Sequence, residues 1–166
     1  MATSRKYTVK IKRKRQGRTN YKLRLNLLKS GKYRLIIRKS LKNILLQIVK
    51  SENSKDKVII ASSSTELKKM GWSYSSGNIP SSYLTGLILG KKALKNNIKG
   101  AILDIGLQNS VVKSRIYAAL KGSIDAGLKV PHNSEMFPSQ ERIKGSHLKK
   151  EMEKKFEEIK NKIEHG

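Results

Sequence analysis

At 166 residues, with 37 Lys and Arg against 12 Asp and Glu, the chain carries a formal net charge of +25 and contains no cysteine. That length fits one domain of ordinary size with extensions, and the missing cysteine excludes thiolate zinc sites, cysteine nucleophiles and disulfide scaffolds. The longest apolar run, Ile116-Tyr117-Ala118-Ala119-Leu120, is far short of a membrane span, and the basic start lacks the apolar stretch of a signal peptide, so a soluble cytoplasmic protein is expected.

The charge is not spread evenly. No carboxylate precedes Glu52, and 17 of the 37 basic residues lie in the first fifty positions. A solvated protein face mixes both signs; this segment does not. Uncompensated cations at that density call for a dense polyanion, and a nucleic-acid backbone supplies one while releasing counterions. An anionic membrane fits less well, because Tyr7, Val9 and Ile11 are too sparse to form an insertable apolar face.

Residues 2–18 read as an extended arm that gains order from its ligand. Thr19-Asn20 offers a helix cap, after which Tyr21, Leu25 and Leu28 share one stripe, flanked by Leu23 and Leu27, until Gly31. The spacing predicts that this stripe pins the helix while Lys22, Arg24 and Lys29 face outward. Three strand-like runs follow at 33–38, 44–49 and 57–62, and their short polar connections favour antiparallel neighbours. On the first run Arg34, Ile36 and Arg38 share a face, which must be either solvent or a nucleic-acid surface.

Ser63 and Glu66 form a capping box for a short helix through Met70. Residues 71–78 are a Gly- and Ser-rich loop holding Trp72, the only tryptophan. Pro80 starts a longer helix, with Tyr83, Leu84, Leu87, Ile88 and Leu94 inward and Lys91, Lys92 and Lys95 outward. Residues 100–106 suit a buried parallel strand. Ser114 is placed to cap a helix over 115–126. The pattern weakens after Val130-Pro131, with 136–138 as a docked tail. Residues 147–164 then read as a helix with Leu148, Met152, Phe156, Ile159 and Ile163 on one face. The fold class expected is α/β: a mixed sheet, an antiparallel three-strand meander plus a parallel strand, with helices packed on it.

Few constellations suggest chemistry. Trp72 and Tyr74, in a Gly-bounded loop, serve equally well as base-stacking platforms or as packing. His132, His147 and His165 have no ligand spacing, and no metal is expected. Asp104, near the end of a buried strand and followed by Ile105-Gly106, stands where ribonuclease-H-like enzymes keep a metal. A divalent site needs further converging carboxylates, however, and turn chemistry for Asp104 and Gly106 is the stronger reading. Gly86 and Gly90 would let another element approach the long helix closely.

Several ordered blocks share a resemblance. Lys12-Arg13-Lys14-Arg15-Gln16-Gly17-Arg18-Thr19-Asn20-Tyr21-Lys22-Leu23-Arg24 is the first, with Leu27-Leu28-Lys29-Ser30-Gly31-Lys32 after it. Gly77-Asn78-Ile79-Pro80-Ser81-Ser82-Tyr83-Leu84-Thr85-Gly86, Ala101-Ile102-Leu103-Asp104-Ile105-Gly106-Leu107 and residues 118–128 and 138–145 complete the set. Together they resemble the family of ribosomal protein eighteen of the large subunit, archaeal type, from about Tyr7 to His147. The resemblance implies a ribonuclease-H-like α/β sandwich without catalytic function. Its implied role is to bind 5S rRNA and help attach it to 23S-type rRNA in the central protuberance, beside another 5S-binding ribosomal protein. No cofactor or small-molecule substrate is implied, and a nuclease using Asp104 is the alternative.

Carried onto this sequence, the RNA-binding residues would be Lys12, Arg13, Lys14, Arg15, Arg18, Tyr21, Lys22 and Arg24. The sheet face would add Arg34, Arg38, Lys39 and Lys42, and the loops Trp72, Lys113 and Arg115. The loop 107–115 is less basic than is common in the family, which leaves Lys113 and Arg115 as its contacts. The expected organisation is a basic RNA-binding arm and short helix over 1–31, an α/β core over 32–131, and a tail with an amphipathic helix over 132–166.

Overall fold

Leu35 and Ile37, facing Ile48 and Leu46 across an antiparallel ladder, set the register around which the molecule is built. The computed structural model describes residues 8–52, 55–148 and 150–165. Arg34–Lys39 (β1), Ile44–Glu52 (β2) and Lys55–Ser63 (β3) form the expected meander. Ile102–Asp104 (β4) pairs parallel to β1, giving the order β3-β2-β1-β4. The second and third strands run longer than the sequence pattern indicates, because the ladder continues through polar residues to Glu52 and Lys55. A bulge at Ile59 shifts the β2–β3 register between Ile48 and Val49.

One face of the sheet, with Leu35, Ile37, Ile44, Leu46 and Ile48 all essentially inaccessible, packs against Ile79–Lys95 (α4) and Arg115–Asp125 (α5). Each such residue contributes roughly 1.5–3 kcal/mol over leaving it in water. Asn78 caps α4 by accepting the Ser81 N–H at 2.9 Å, and Pro80 sits in the first turn. Every residue from Pro80 to Gly90 is buried. The reason is that α4 is covered on its other side too. Leu84, Leu87 and Ile88 join a second apolar cluster with Leu67, Ile143, Met152, Phe156, Ile159 and Ile163. These come from Glu66–Lys69 (α3), Gln140–Lys144 (α6) and Lys150–His165 (α7).

Gly86 and Gly122 bring α4 and α5 into backbone contact. A Cβ at Gly86 would run into the Ala119 carbonyl, and one at Gly122 into the Tyr83 carbonyl. Ser123 Oγ donates to the Gly86 carbonyl across this contact at 3.1 Å.

Some details differ from the sequence expectation. The arm is not wholly extended: Lys12–Arg15 (α1) forms one helical turn, closed when Arg18 N–H donates to the Arg13 carbonyl at 2.9 Å. Tyr7 lies outside the described residues. Ser114 makes no side-chain cap, and its hydroxyl is buried without a partner. Leu94 is more than a third exposed, while Lys92 bridges to Glu66 at 2.8 Å. Leu148 precedes α7 and is half exposed, since the helix begins only at Lys150.

Candidate nucleic-acid interface

The helix after the arm, Tyr21–Lys29 (α2), begins where Asn20 Oδ1 accepts the Leu23 N–H at 3.1 Å. The expected apolar stripe does not pin it. No α2 residue is fully buried, and Leu25 is more than half exposed. One of the cations expected to face outward does the holding instead: Arg24 reaches Asp56, on the β2–β3 hairpin, at 2.8 Å.

That contact is the end of a chain of alternating charges. Asp56 also accepts from Arg34 at 2.6 Å, Arg34 reaches Asp104 at 3.0 Å, and Asp104 faces Arg38 at 3.6 Å. Burial alone would raise the Asp56 carboxyl, but the hydrogen bonds from Arg34 and Arg24 outweigh it and hold the group below its ordinary value. Asp104 spends its other oxygen on the Gly106 N–H at 2.9 Å, in a turn with Gly106 at φ +62°. A side chain at Gly106 would strike the Arg38 guanidinium, so glycine lets that arginine lie over the turn. The turn role expected for Asp104 and Gly106 is what the structure shows. Among the described residues no three His, Asp or Glu gather as metal ligands would.

Two of the residues expected to meet RNA are turned inward, and a third, half-buried Arg115, is committed to backbone carbonyls. Arg34 is 2% exposed, with its guanidinium committed to Asp56 and Asp104. Its side chain is met by two carboxylates distant in sequence, the first of them shared with Arg24 of α2. Trp72 is 3% exposed, in the cluster with Leu67, Phe156 and Ile159, and its indole N–H donates to the Ser75 carbonyl at 3.2 Å. Tyr74, half exposed, meets the Trp72 ring edge-on at 5.4 Å. Arg115 donates to the carbonyls of Ser40 at 3.1 Å and Gly77 at 2.8 Å, which ties the β1–β2 turn to the loop before α4.

The remaining cations are differently placed. Lys12, Arg13, Lys14, Arg15, Arg18 and Lys22 are all exposed, and among the described residues none has a carboxylate within ion-pair reach. Arg13 is steadied by donating through Nε to Thr19 Oγ1 at 3.0 Å. Tyr21 is half-buried at the start of α2. Arg38 and Lys39 are partly exposed, Lys42 and Lys113 exposed. Arg38, Lys39 and Lys42 lie at the end of β1 and in the turn after it, whereas Lys113 is on the loop after β4, its N–H donating to the Met136 carbonyl at 2.9 Å.

Two residues outside the expected set belong to this surface. Gln108 fastens the loop after β4: its amide donates to the Ile37 carbonyl at 2.6 Å and accepts the Lys39 N–H at 3.0 Å. Lys68 lines an open depression with Lys42 and Tyr74. No local spacing marks either residue, since both acquire their neighbours through tertiary packing.

The chain is similar in sequence to known proteins. The family described as "Ribosomal large subunit proteins 60S L5, and 50S L18" matches residues 5–100 and 95–133. The "Large ribosomal subunit protein uL18" of Methanococcoides burtonii is 45% identical over 168 residues, covering 98% of this chain and 97% of its own length. The protein of the same name from Methanothrix thermoacetophila is 47% identical over 145 residues, covering 87% and 86%. These relatives are structural proteins of the ribosome, this chain is not an enzyme, and the nuclease alternative at Asp104 is set aside. By both the family match and the near-full-length likeness, the chain belongs to the ribosomal large-subunit protein family of 60S L5 and 50S L18.

Proposed function

We propose that this protein, as a cytoplasmic component of the large ribosomal subunit, binds 5S rRNA and helps attach it to 23S-type rRNA in the central protuberance. The observation that carries the reading is the arm and the start of α2, where seven exposed cations, Lys10 and the six named above, lack any ion-pair partner among the described residues. Lys22 sits on α2, the helix fixed to the sheet by the Arg24–Asp56–Arg34–Asp104–Arg38 chain, and the other cations precede it in the arm. The network fixes α2, the helix that the arm leads into; the free cations neutralise phosphates. Lys39 and Lys42 extend the positive surface around the end of β1, and Lys113 adds to it from the loop after β4. A neighbouring 5S-binding ribosomal protein completes the set of partners.

The test is 5S rRNA binding by a variant with Arg13, Arg15 and Arg18 all changed to Ala. Removing one cation from a phosphate flattens the dependence of log affinity on log salt by roughly 1, so this variant binds weakly with a shallower salt slope. Wild-type affinity and slope in that variant would remove the arm from the interface. Equal affinity of the wild type for 5S rRNA and for random duplex would reduce the protein to a nonspecific coat.

A further inference from the structure

We infer that the groove between α2 and the turn after β4 receives one unstacked nucleotide of the bound RNA, an inference that rests on the RNA-binding reading above. The groove holds about 440 Å³ and has Arg13 and Arg18 among its lining residues. Its apolar walls are Leu23 and Leu27 from α2, with Ile105 and Leu107 from the turn. A lone phosphate would leave most of that space empty and would lose hydration against leucine. The volume falls instead in the roughly 300–1,000 Å³ range of clefts that enclose small organic ligands. A nucleotide matches both parts of the lining, with its base face on the leucines and its phosphate on the arginines.

The apolar surface is available. Leu23 is 39% exposed and Leu107 54% exposed, although both border a concavity. The arginines are available too: Arg13 is held by Thr19, and Arg18 has no ion-pair partner among the described residues. Arg24 and Arg38, also in the lining, are committed to Asp56 and Asp104, so those carboxylates do not face an incoming phosphate unneutralised.

The groove also specifies how the base is read. The Gln108 amide is spent on Ile37, Ile105 and Lys39, and Asn20 Oδ1 on the Leu23 N–H. With those groups occupied the Asn20 amide nitrogen is the one side-chain amide group of the lining left over, so the contact is made to the face of the base more than to its hydrogen-bonding edge. Recognition by guanidinium and apolar contact tolerates any base but requires that one be present.

The experiment is filter binding of the full chain to 5S rRNAs carrying single abasic sites. One abasic position lowers affinity about tenfold, whereas exchanging the base there changes it little. A Leu23→Ala, Leu107→Ala double variant, its fold checked by Trp72 fluorescence, loses a similar factor while keeping the wild-type salt slope. It is also indifferent to that abasic site. A wild type insensitive to every abasic position overturns the inference and leaves the phosphate reading standing, and so does a double variant with wild-type affinity or with the same abasic profile. AMP and CMP added at millimolar concentration do not displace the RNA; displacement would make the groove a site for free nucleotide instead. Failure of the wild type to bind 5S rRNA at all would sink the underlying reading, which is a separate result.

Discussion

Between α4 and α5, two glycines let the backbones touch, and the surrounding side chains are almost wholly excluded from water. Among the described residues of the arm and α2 none is fully buried, and the helix is fastened to the sheet through Arg24 and Asp56. The first region is held by dispersion and the hydrophobic effect, which salt does not screen. The second is held by partly exposed charge, which salt does screen. The division suits a protein that carries a firm body to an RNA and adapts to it with a charged appendage. It also means that the two regions answer to different perturbations.

The largest effect is expected where the backbones meet. Gly122→Val must push α5 off α4, because the added carbons have only the Tyr83 carbonyl to occupy. Destabilisation of more than about 3 kcal/mol follows. Urea unfolding watched through Trp72, the only tryptophan and a buried one, measures it. A midpoint at the wild-type value would mean that the two helices separate freely.

Next in size is a contrast between two arginines. Arg34→Ala leaves buried Asp104 with only the more distant Arg38 and the Gly106 N–H, and Asp56 with Arg24 alone, at a cost of about 3 kcal/mol. Arg18→Ala removes an exposed cation with no ion pair among the described residues and changes stability by less than about 0.5 kcal/mol, yet weakens RNA binding. If Arg34→Ala unfolded like wild type while Arg18→Ala were destabilised, the assignment of structural and binding arginines would be reversed.

Those two residues also show what can be read from sequence. The cationic leader, the strand-like runs of the meander, the parallel strand and the inward apolar face of α4 all follow from charge, period and capping residues, because each is a local property. Arg34 and Arg38 share a face by strict alternation, and alternation cannot say what covers that face. Arg34 is met there by Asp56 and Asp104, the latter seventy positions away from it. Trp72 is the same case. A Gly-bounded loop looks open until Met152, Phe156 and Ile159 of α7, far along the chain, are packed into the same cluster. Arg115 reads as a free cation in a basic loop until the hairpin turn brings the Ser40 carbonyl to it. Long-range partners decided each of these outcomes.

The smallest effect separates the two regions most directly, and pH provides it. Asp56 is held below its ordinary carboxyl value of 3.8 despite the opposing effect of burial. A depressed carboxyl stabilises the fold at pH above that ordinary value, and the contribution fades as pH falls toward the lower folded value. Because the Asp56 side chain is 27% exposed, the contribution is only on the order of 1 kcal/mol. Amide exchange should therefore show α2 losing protection as pH drops below about 4, while α4 amides keep theirs. Asp56→Asn should loosen α2 at neutral pH and abolish the acid step. If wild-type α2 stayed protected through that window, Leu27 and Leu28 would have to be its anchor, and the arm would be tied to the body by the same apolar forces as the core.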